Sequence, residues 1–343
     1  MLNSSQQARI NLEAWSRRKR HPGESWMWRR FNPRISTIQD LPYFRQQNAL
    51  GNGLRLGLDD TRIEQGPETE RVFDELVAKW GLPSVLPLLE SKVGHPPLTF
   101  VGNSSQKALH TDLHDLFLTN FALDFQQAIL GVGLTQPTLF LEIGGGYGGT
   151  VAKLARLFPS TRFILADLPP ASLLQTYYLE QLYPEEVSVI PLGNSSRSSK
   201  MTSRFTICSP TELKTILRSL DGVINTRSFQ EMRRPTVRKY FDLIQSSLKP
   251  GGIFMNVNSK AKLGYRFTDL PYDNYWELFR SEAAFNQPHI WSLTTRRLRN
   301  RNAAFSSWKL DVPMPPAPSL RRRTKALVTR HLITLRRVLG AGE

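Results

Sequence analysis

Cysteine is nearly absent from this chain. Cys208 is the only one, so no intrachain disulfide can form and a secreted disulfide scaffold is excluded. A reducing cytoplasm is the default compartment for such a sequence. Long apolar runs are missing too. The nearest candidate, Leu82 to Leu89, is broken by Pro83 and Pro87. It falls far short of the roughly 20 residues that cross a bilayer. Residues 1–20 hold no continuous apolar stretch, so no secretory signal is expected. No internal repeat is visible. Acidic residues are few against basic ones, 29 to 45, giving a formal charge of +16.

That excess is not spread evenly. Residues 1–34 hold 8 basic and 2 acidic residues, and residues 296–343 hold 12 and 2. The stretch between them holds 25 of each. The body is therefore neutral and the ends are basic, so nucleic acid is not an expected partner of the body. At 40% apolar residues the chain can build a packed core, which excludes wholesale disorder. Its 343 residues suggest about two domains.

Residues 1–66 are irregular in pattern, with Trp15, Trp26, Trp28 and Phe31 among arginines. They read as an arm that buries its aromatics on the main body. Residues 67–92 read as helix, punctuated by Gly81 and Pro83. Residues 104–131 read as a second helical block, with Leu109, Leu113, Leu116, Phe117, Phe121 and Phe125 on one side. From Pro137 the texture changes. Short apolar runs (TLFLEIGG, RFILADLP, VSVIPL, RFTIC, GVINT, IFMNVN) read as buried strands. Helical stretches at 150–158, 170–183 and 236–248 separate several of them, GNSSRSSKMTS reads as a loop, and KPGG as a turn. Such alternation predicts an α/β fold, Rossmann-like and doubly wound, with a mostly parallel sheet. HIWSLTT and SSWKLDV would add an antiparallel edge, and the earlier helices an N-terminal helical cap.

The strongest motif is Glu142-Ile-Gly144-Gly-Gly146-Tyr-Gly148-Gly149, placed after a strand and before a helix. Glycines there let the backbone turn tightly and approach a ligand, and the helix start adds amide donors. Two patterns fit. Gly144, Gly146 and Gly149 match the dinucleotide fingerprint, while Glu142, Gly144, Gly146 and Gly148 match the acid-x-G-x-G-x-G string of class I methyltransferases. Asp167 ends the next strand, where either would place an acid on ribose hydroxyls. An acid before the first glycine suits a sulfonium ligand carrying an amino group and would repel a pyrophosphate. S-adenosylmethionine is thus favoured over a nicotinamide dinucleotide.

Further strings are more specific. Asp167-Leu-Pro169 is followed by QTYYLEQLYP, then by Asn225-Thr-Arg-Ser-Phe-Gln-Glu231-Met232 and by Tyr240 to Ile244. Asn256 and Asn258 end the strand after KPGG. Pro271-Tyr-Asp273-Asn-Tyr-Trp276 and Phe285-Asn-Gln-Pro-His289 stand near the end. Together these resemble the bacterial sugar O-methyltransferase family, over about residues 104–300. The resemblance implies methyl transfer from S-adenosylmethionine to a sugar hydroxyl, free, nucleotide-linked or within a surface glycan. It implies Glu142, Gly144, Gly146, Gly148, Asp167 and Asn225 as cofactor residues. Near the acceptor it implies Ser228, Tyr272, Trp276 and Asn258.

A hydroxyl is a poor nucleophile and must lose its proton, so a general base is expected. His289, Glu231 and Asp273 are the candidates. No metal is expected, because no carboxylate or histidine spacing compels one. His110 and His114, four apart, could share a helix face but lack the Glu of a zinc H-E-x-x-H string. An RNA methyltransferase is the first rival, suggested by the basic ends. NTRSFQEM disfavours it, since amine-directed enzymes carry an N/D-P-P-Y/F string there. A non-enzymatic Rossmann-like scaffold is the second rival, against which the intact glycine loop argues.

The expected division is an arm and helical cap at 1–103, a catalytic domain at 104–312 and a basic tail at 313–343. Within the tail MPPAPS reads as a stiff linker. Leu327, Val328, Leu332, Leu335, Val338 and Leu339 then mix with cations. That pattern would let the tail lie on an anionic membrane, placing the enzyme peripherally at the inner face.

Overall fold

A computed structural model describes residues 3–17, 41–45, 66–89, 92–96, 98–101, 107–193, 203–217, 219–259, 261–262, 265–266, 269–285 and 287–302. The tail, SSWKLDV, Trp26, Trp28, Phe31 and most of GNSSRSSKMTS lie outside them.

The N-terminal part is built of α1 (Ser4–Ser16), α2 (Gly66–Trp80), α3 (Leu82–Leu89) and a small hairpin, β1 (Leu98–Val101) with β2 (Lys107–His110). Next come α4 (Leu113–Gly131), β3 (Leu139–Ile143), α5 (Gly149–Leu157), β4 (Arg162–Ala166) and α6 (Pro169–Leu182). They are followed by β5 (Val187–Val189), β6 (Phe205–Cys208), the short α7 (Leu213–Ile216), β7 (Leu220–Thr226) and α8 (Arg234–Ser247). The chain continues through β8 (Leu248–Ser259), the small pair β9 (Ala261–Lys262) and β10 (Tyr265–Arg266), then β11 (Trp276–Ala284) and β12 (Gln287–Arg297).

Eight of these strands form one sheet in the order β11-β12-β8-β7-β3-β4-β6-β5. From β5 to β8 every pairing is parallel, and β12 pairs antiparallel with both β8 and β11. This is the expected Rossmann-like, mostly parallel sheet with an antiparallel edge. Strand order reverses between β3 and β7. In open α/β sheets ligands bind at the carboxyl ends of strands at such a switch point.

Two cores flank the sheet because side chains alternate along each strand. Leu139, Leu141 and Ile143 pack toward Val237, Tyr240, Phe241 and Ile244 of α8. Phe140 packs the other way, edge-on to Phe125, Phe158 and Phe163 between α4, α5 and β4. Glu142 shares the parity of Phe140, so the one acid of this strand faces the α4–α5 side.

Several local readings need correction. Residues 4–16, where the sequence pattern predicts irregular structure, form α1. Asn3 accepts from Gln6 N–H (2.8 Å) while the Gln6 side chain accepts from Asn3 N–H (3.1 Å), a reciprocal cap that starts the helix. Ala8, Leu12 and Trp15 are its buried face, so Trp15 is indeed buried on the body. The expected helix at 67–92 is two, divided at Gly81, whose φ is +80°. Leu109 belongs to β2 rather than to the helical block, which begins at Leu113 under an Asp112 cap. KPGG is no free turn. It lies inside β8 as an irregularity opposite β7, with Gly251 at φ +88°.

Candidate active site

The loop after β3 is shaped by its glycines. Gly144, Gly146 and Gly148 have φ of +69°, +62° and +87°. Side chains rarely adopt that region. A Cβ at Gly144 would also collide with Ser228, and one at Gly145 with the Glu142 carboxylate. At Gly146 nothing lies within 4 Å, so the backbone is open there.

Glu142 is buried under this loop, and neither carboxylate oxygen has a hydrogen-bond partner. Thr150, on the first turn of α5, is buried with its hydroxyl also unpartnered. Burial pushes the Glu142 carboxyl up to about 8. Thr150 draws it back without completing a hydrogen bond of normal geometry, and the Asp167 carboxylate adds to the rise. Asp167 stands at the end of β4, accepting from Leu168 N–H (2.7 Å) and Gly146 N–H (3.1 Å). Although partly exposed by area it is ringed by protein, and that burial pushes its carboxyl up to about 7 against those two donors. Two acids, an open glycine and an orphaned hydroxyl thus converge at the switch point. The set fits a nucleoside bearing a cationic amino-acid end.

Asn225 and its neighbours sit beside this loop in a hydrogen-bonded network. The Asn225 side chain donates to Ile143 C=O (2.8 Å) and to Ser228 Oγ, and accepts from Asn258 Nδ2 (2.8 Å). Ser228 donates to Ile143 C=O at 3.0 Å. Asn258 donates to Asn256 Oδ1 (2.5 Å) and accepts from Gln230 N–H (3.0 Å). These groups tie the ends of β3, β7 and β8 together. Asn225, Ser228 and Asn258 thus act as a frame for the segment after β7, with their polar atoms already committed.

That frame presents Arg227, Gln230 and Glu231. Glu231 is buried on a single 3-10 turn (Phe229–Glu231) and accepts from Gln230 Nε2 at 3.1 Å. His114, on α4, meets Tyr147 of the glycine loop edge-on at 6.0 Å. Burial, helped by the Arg227 cation, brings the His114 imidazole down to about 3, so it is neutral at ordinary pH. His114 entered the sequence reading only as a metal candidate. Its helix spacing from His110 is illusory, since His110 ends β2 and its ring nitrogen faces Pro96 C=O at 3.5 Å. Among the described residues no three His, Cys, Asp or Glu side chains group as a metal site.

The structure does not bring the aromatic candidates to this cluster. Trp276 is fully buried, with its indole N–H on Gln245 Oε1 (3.1 Å). Tyr272 packs edge-on against it and against Phe241. No sugar ring reaches an indole face enclosed by Phe254 and Tyr272, so the expected platform is a core unit. Asp273 forms a two-point ion pair with Arg297 at 2.5 and 3.0 Å and caps Tyr275 N–H. His289 lies on β12, and its side chain is outside the described residues.

What sequence reasoning missed is a buried charge cluster holding the N-terminal part to the glycine loop. Arg45 is wholly buried, 3.1 Å from Asp112 and 3.7 Å from Asp115. Lys153 of α5 reaches Asp115 (2.8 Å) and Leu88 C=O (2.6 Å). Phe44 packs on Tyr147 at 5.4 Å. Charges this far apart in sequence carry no spacing signal.

No family model matches the chain, and no curated protein does. Solved structures with some likeness include the mitomycin 7-O-methyltransferase MmcR, 16% identical over 54% of this chain and 57% of that one, TM-score 0.34. The pyocyanin biosynthetic protein PhzM is 11% identical, over 53% and 56%, TM-score 0.37. An O-methyltransferase family protein from Burkholderia thailandensis is 12% identical, over 54% and 59%, TM-score 0.34. The chain thus spans less than two thirds of the length of each. Its own strand order and loop define a Rossmann-like domain with an acid-headed glycine loop at the switch point.

Proposed function

We propose that this chain is an S-adenosylmethionine-dependent O-methyltransferase acting on a sugar hydroxyl. One observation carries the donor. A buried, unpartnered carboxyl stands directly behind a glycine loop whose alternate residues have positive φ, with a second acid at the end of the neighbouring strand. A pyrophosphate would leave the Glu142 carboxyl buried and unpaired, whereas an ammonium or sulfonium end would relieve that burial and favour the ionised acid. The sugar is carried by the motif resemblance over residues 104–300.

Glu142, Gly144, Gly146, Gly148 and Asp167 would hold the donor, Asp167 on the ribose hydroxyls. When bound, S-adenosylmethionine supplies a methyl group already activated on a sulfonium. The chain's own task is then to align the acceptor, exclude water and take a proton. The hydroxyl oxygen gains the methyl as the carbon–sulfur bond breaks, and its proton passes to a base. Glu231 is the described acid on the segment after β7 that can accept it, whereas His114, held near 3, is too weak a base. His289 remains a candidate from the resemblance. Arg45, Asp112, Asp115 and Lys153 fix the N-terminal part over Tyr147 and so shield the site. Among the described residues no helix is long and apolar enough to cross a membrane. The basic tail would therefore supply any membrane contact from the surface, testable by liposome co-sedimentation with and without residues 314–343.

Calorimetric titration with S-adenosylmethionine and with NAD tests the donor. Heat is expected only with the first, and none with it would overturn the proposal. Mass spectrometry of surface glycans from a deletion strain tests the acceptor. Loss of one methyl mass per site is expected, and unchanged masses would count against a sugar.

A further inference from the structure

We propose that Arg227 is the docking point for an anionic group, a carboxylate or phosphate, on the methyl acceptor; this rests on the methyl-transfer reading above. Arg227 is the first residue past β7, between the end of the strand and the Ser228 that packs on Gly144. It holds φ +63°, a conformation disfavoured for a long side chain. Its own N–H on Val257 C=O (2.6 Å) and the network at Asn225 and Ser228 keep it there. Strained residues of this kind persist where the surroundings over-determine them, characteristically at ligand sites.

The side chain is as unusual as the backbone. Among the described residues, Arg45, Arg204, Arg280, Arg296 and Arg297, the other buried or half-buried arginines, each meet a carboxylate within 4.0 Å. Among the described residues Arg227 meets none at that distance, and its buried Nε, like that of Arg296, has no hydrogen-bond partner there. Glu231 favours its charge from further away, yet burial still lowers it to about 10. A buried guanidinium N–H without an acceptor is a costly arrangement in a folded chain and is relieved when an oxyanion arrives to accept from it.

Its placement suggests what brings that oxyanion. The Arg227 charge acts on His114, on the α4 side of the loop, where the N-terminal part packs. An acceptor whose anionic group is gripped by Arg227 would hold a neighbouring ring hydroxyl beside His114 and Glu231. Acidic sugars and glycosyl phosphates have that chemistry.

The test uses the full chain as wild type, Arg227→Gln and Arg227→Lys. Each is titrated with S-adenosylhomocysteine alone, then with glucuronate, glucose 1-phosphate and glucose. Wild type should take one or both anions at least about tenfold more tightly than glucose. Which of the two is preferred distinguishes carboxylate from phosphate. R227Q should lose the preference and R227K keep part of it, with S-adenosylhomocysteine affinity unchanged. Because an unpartnered cation is removed, R227Q should melt no lower than wild type. Equal binding of glucose and both anions by wild type overturns the proposal. So does loss of S-adenosylhomocysteine affinity in R227Q, which would put the donor's own carboxylate on Arg227. Anion preference without any S-adenosylhomocysteine heat would instead overturn the methyl-donor reading and leave the anion site standing.

Discussion

Replacing Glu142 by glutamine isolates the energetic signature of the donor site. In the folded chain burial raises this carboxyl from an ordinary 4.5 to about 8. The folded state therefore binds a proton that the unfolded state releases. Stability contributed by the group is present below pH 4.5 and is lost as pH rises toward 8, where the loss levels off. Each pH unit in that window costs about 1.4 kcal/mol, so at pH 7 the penalty is roughly 3 kcal/mol. A glutamine is nearly isosteric and cannot ionise, so Glu142→Gln removes the slope. Urea denaturation at half-unit steps from pH 5 to 8 should find the variant hardly changed at pH 5. It should gain to roughly 3 kcal/mol over wild type by pH 7. A difference that stays flat with pH, or that reverses sign, would refute the reasoning. Asp167 titrates in both proteins, so its contribution largely cancels. Saturating S-adenosylhomocysteine, whose ammonium favours the ionised acid, should flatten the wild-type slope and leave the variant's slope as it was.

Other expectations follow from the same geometry. Gly144→Ala meets both a positive φ and the Ser228 side chain, so it should lose at least about 2 kcal/mol in denaturant titration and bind the donor poorly by calorimetry. Asp115→Asn leaves Arg45 and Lys153 short of a buried counter-charge, and a loss of about 3–5 kcal/mol is expected from the denaturation midpoint. Trp276→Ala should cost about 3–5 kcal/mol as a core cavity while leaving donor affinity intact in a titration near physiological temperature. His114→Asn should leave turnover within a few-fold of wild type, because an imidazole held near 3 is a poor proton acceptor. The wild-type rate should then show no inflection near pH 6.5, because the imidazole titrates only near 3.

The parallel sheet was legible because strands buried on both faces must be continuous apolar runs, and β3, LFLEI, is buried at every position. Glu142 was legible for the opposite reason, as an acid that such a run does not tolerate without cause. Asn225, Ser228 and Asn258 were found by motif as ligand residues, while their hydrogen bonds to one another were not legible. Their side chains are spent on one another and on Ile143 C=O, and composition does not tell a ligand donor from a frame. Trp276 and Tyr272 misled for a related reason. Aromatics beside an acid look alike whether they face a sugar or, as here, Phe241 and Phe254. Arg45 and Asp115 lie 70 positions apart, so only the fold could reveal their pairing.

The first helix has a consequence beyond packing. Sheets end in strands whose main-chain groups can recruit another chain, and β5 is such an end. Here Ser4 donates to Val187 C=O (2.6 Å), Asn11 donates to Ile190 C=O (2.8 Å) and accepts from Leu192 N–H (2.9 Å). Helix α1 thus works as a doorstop against self-association, written at the very start of the chain. A recombinant version trimmed to begin just after α1 would keep every site residue named above, yet would expose that strand and be prone to aggregate.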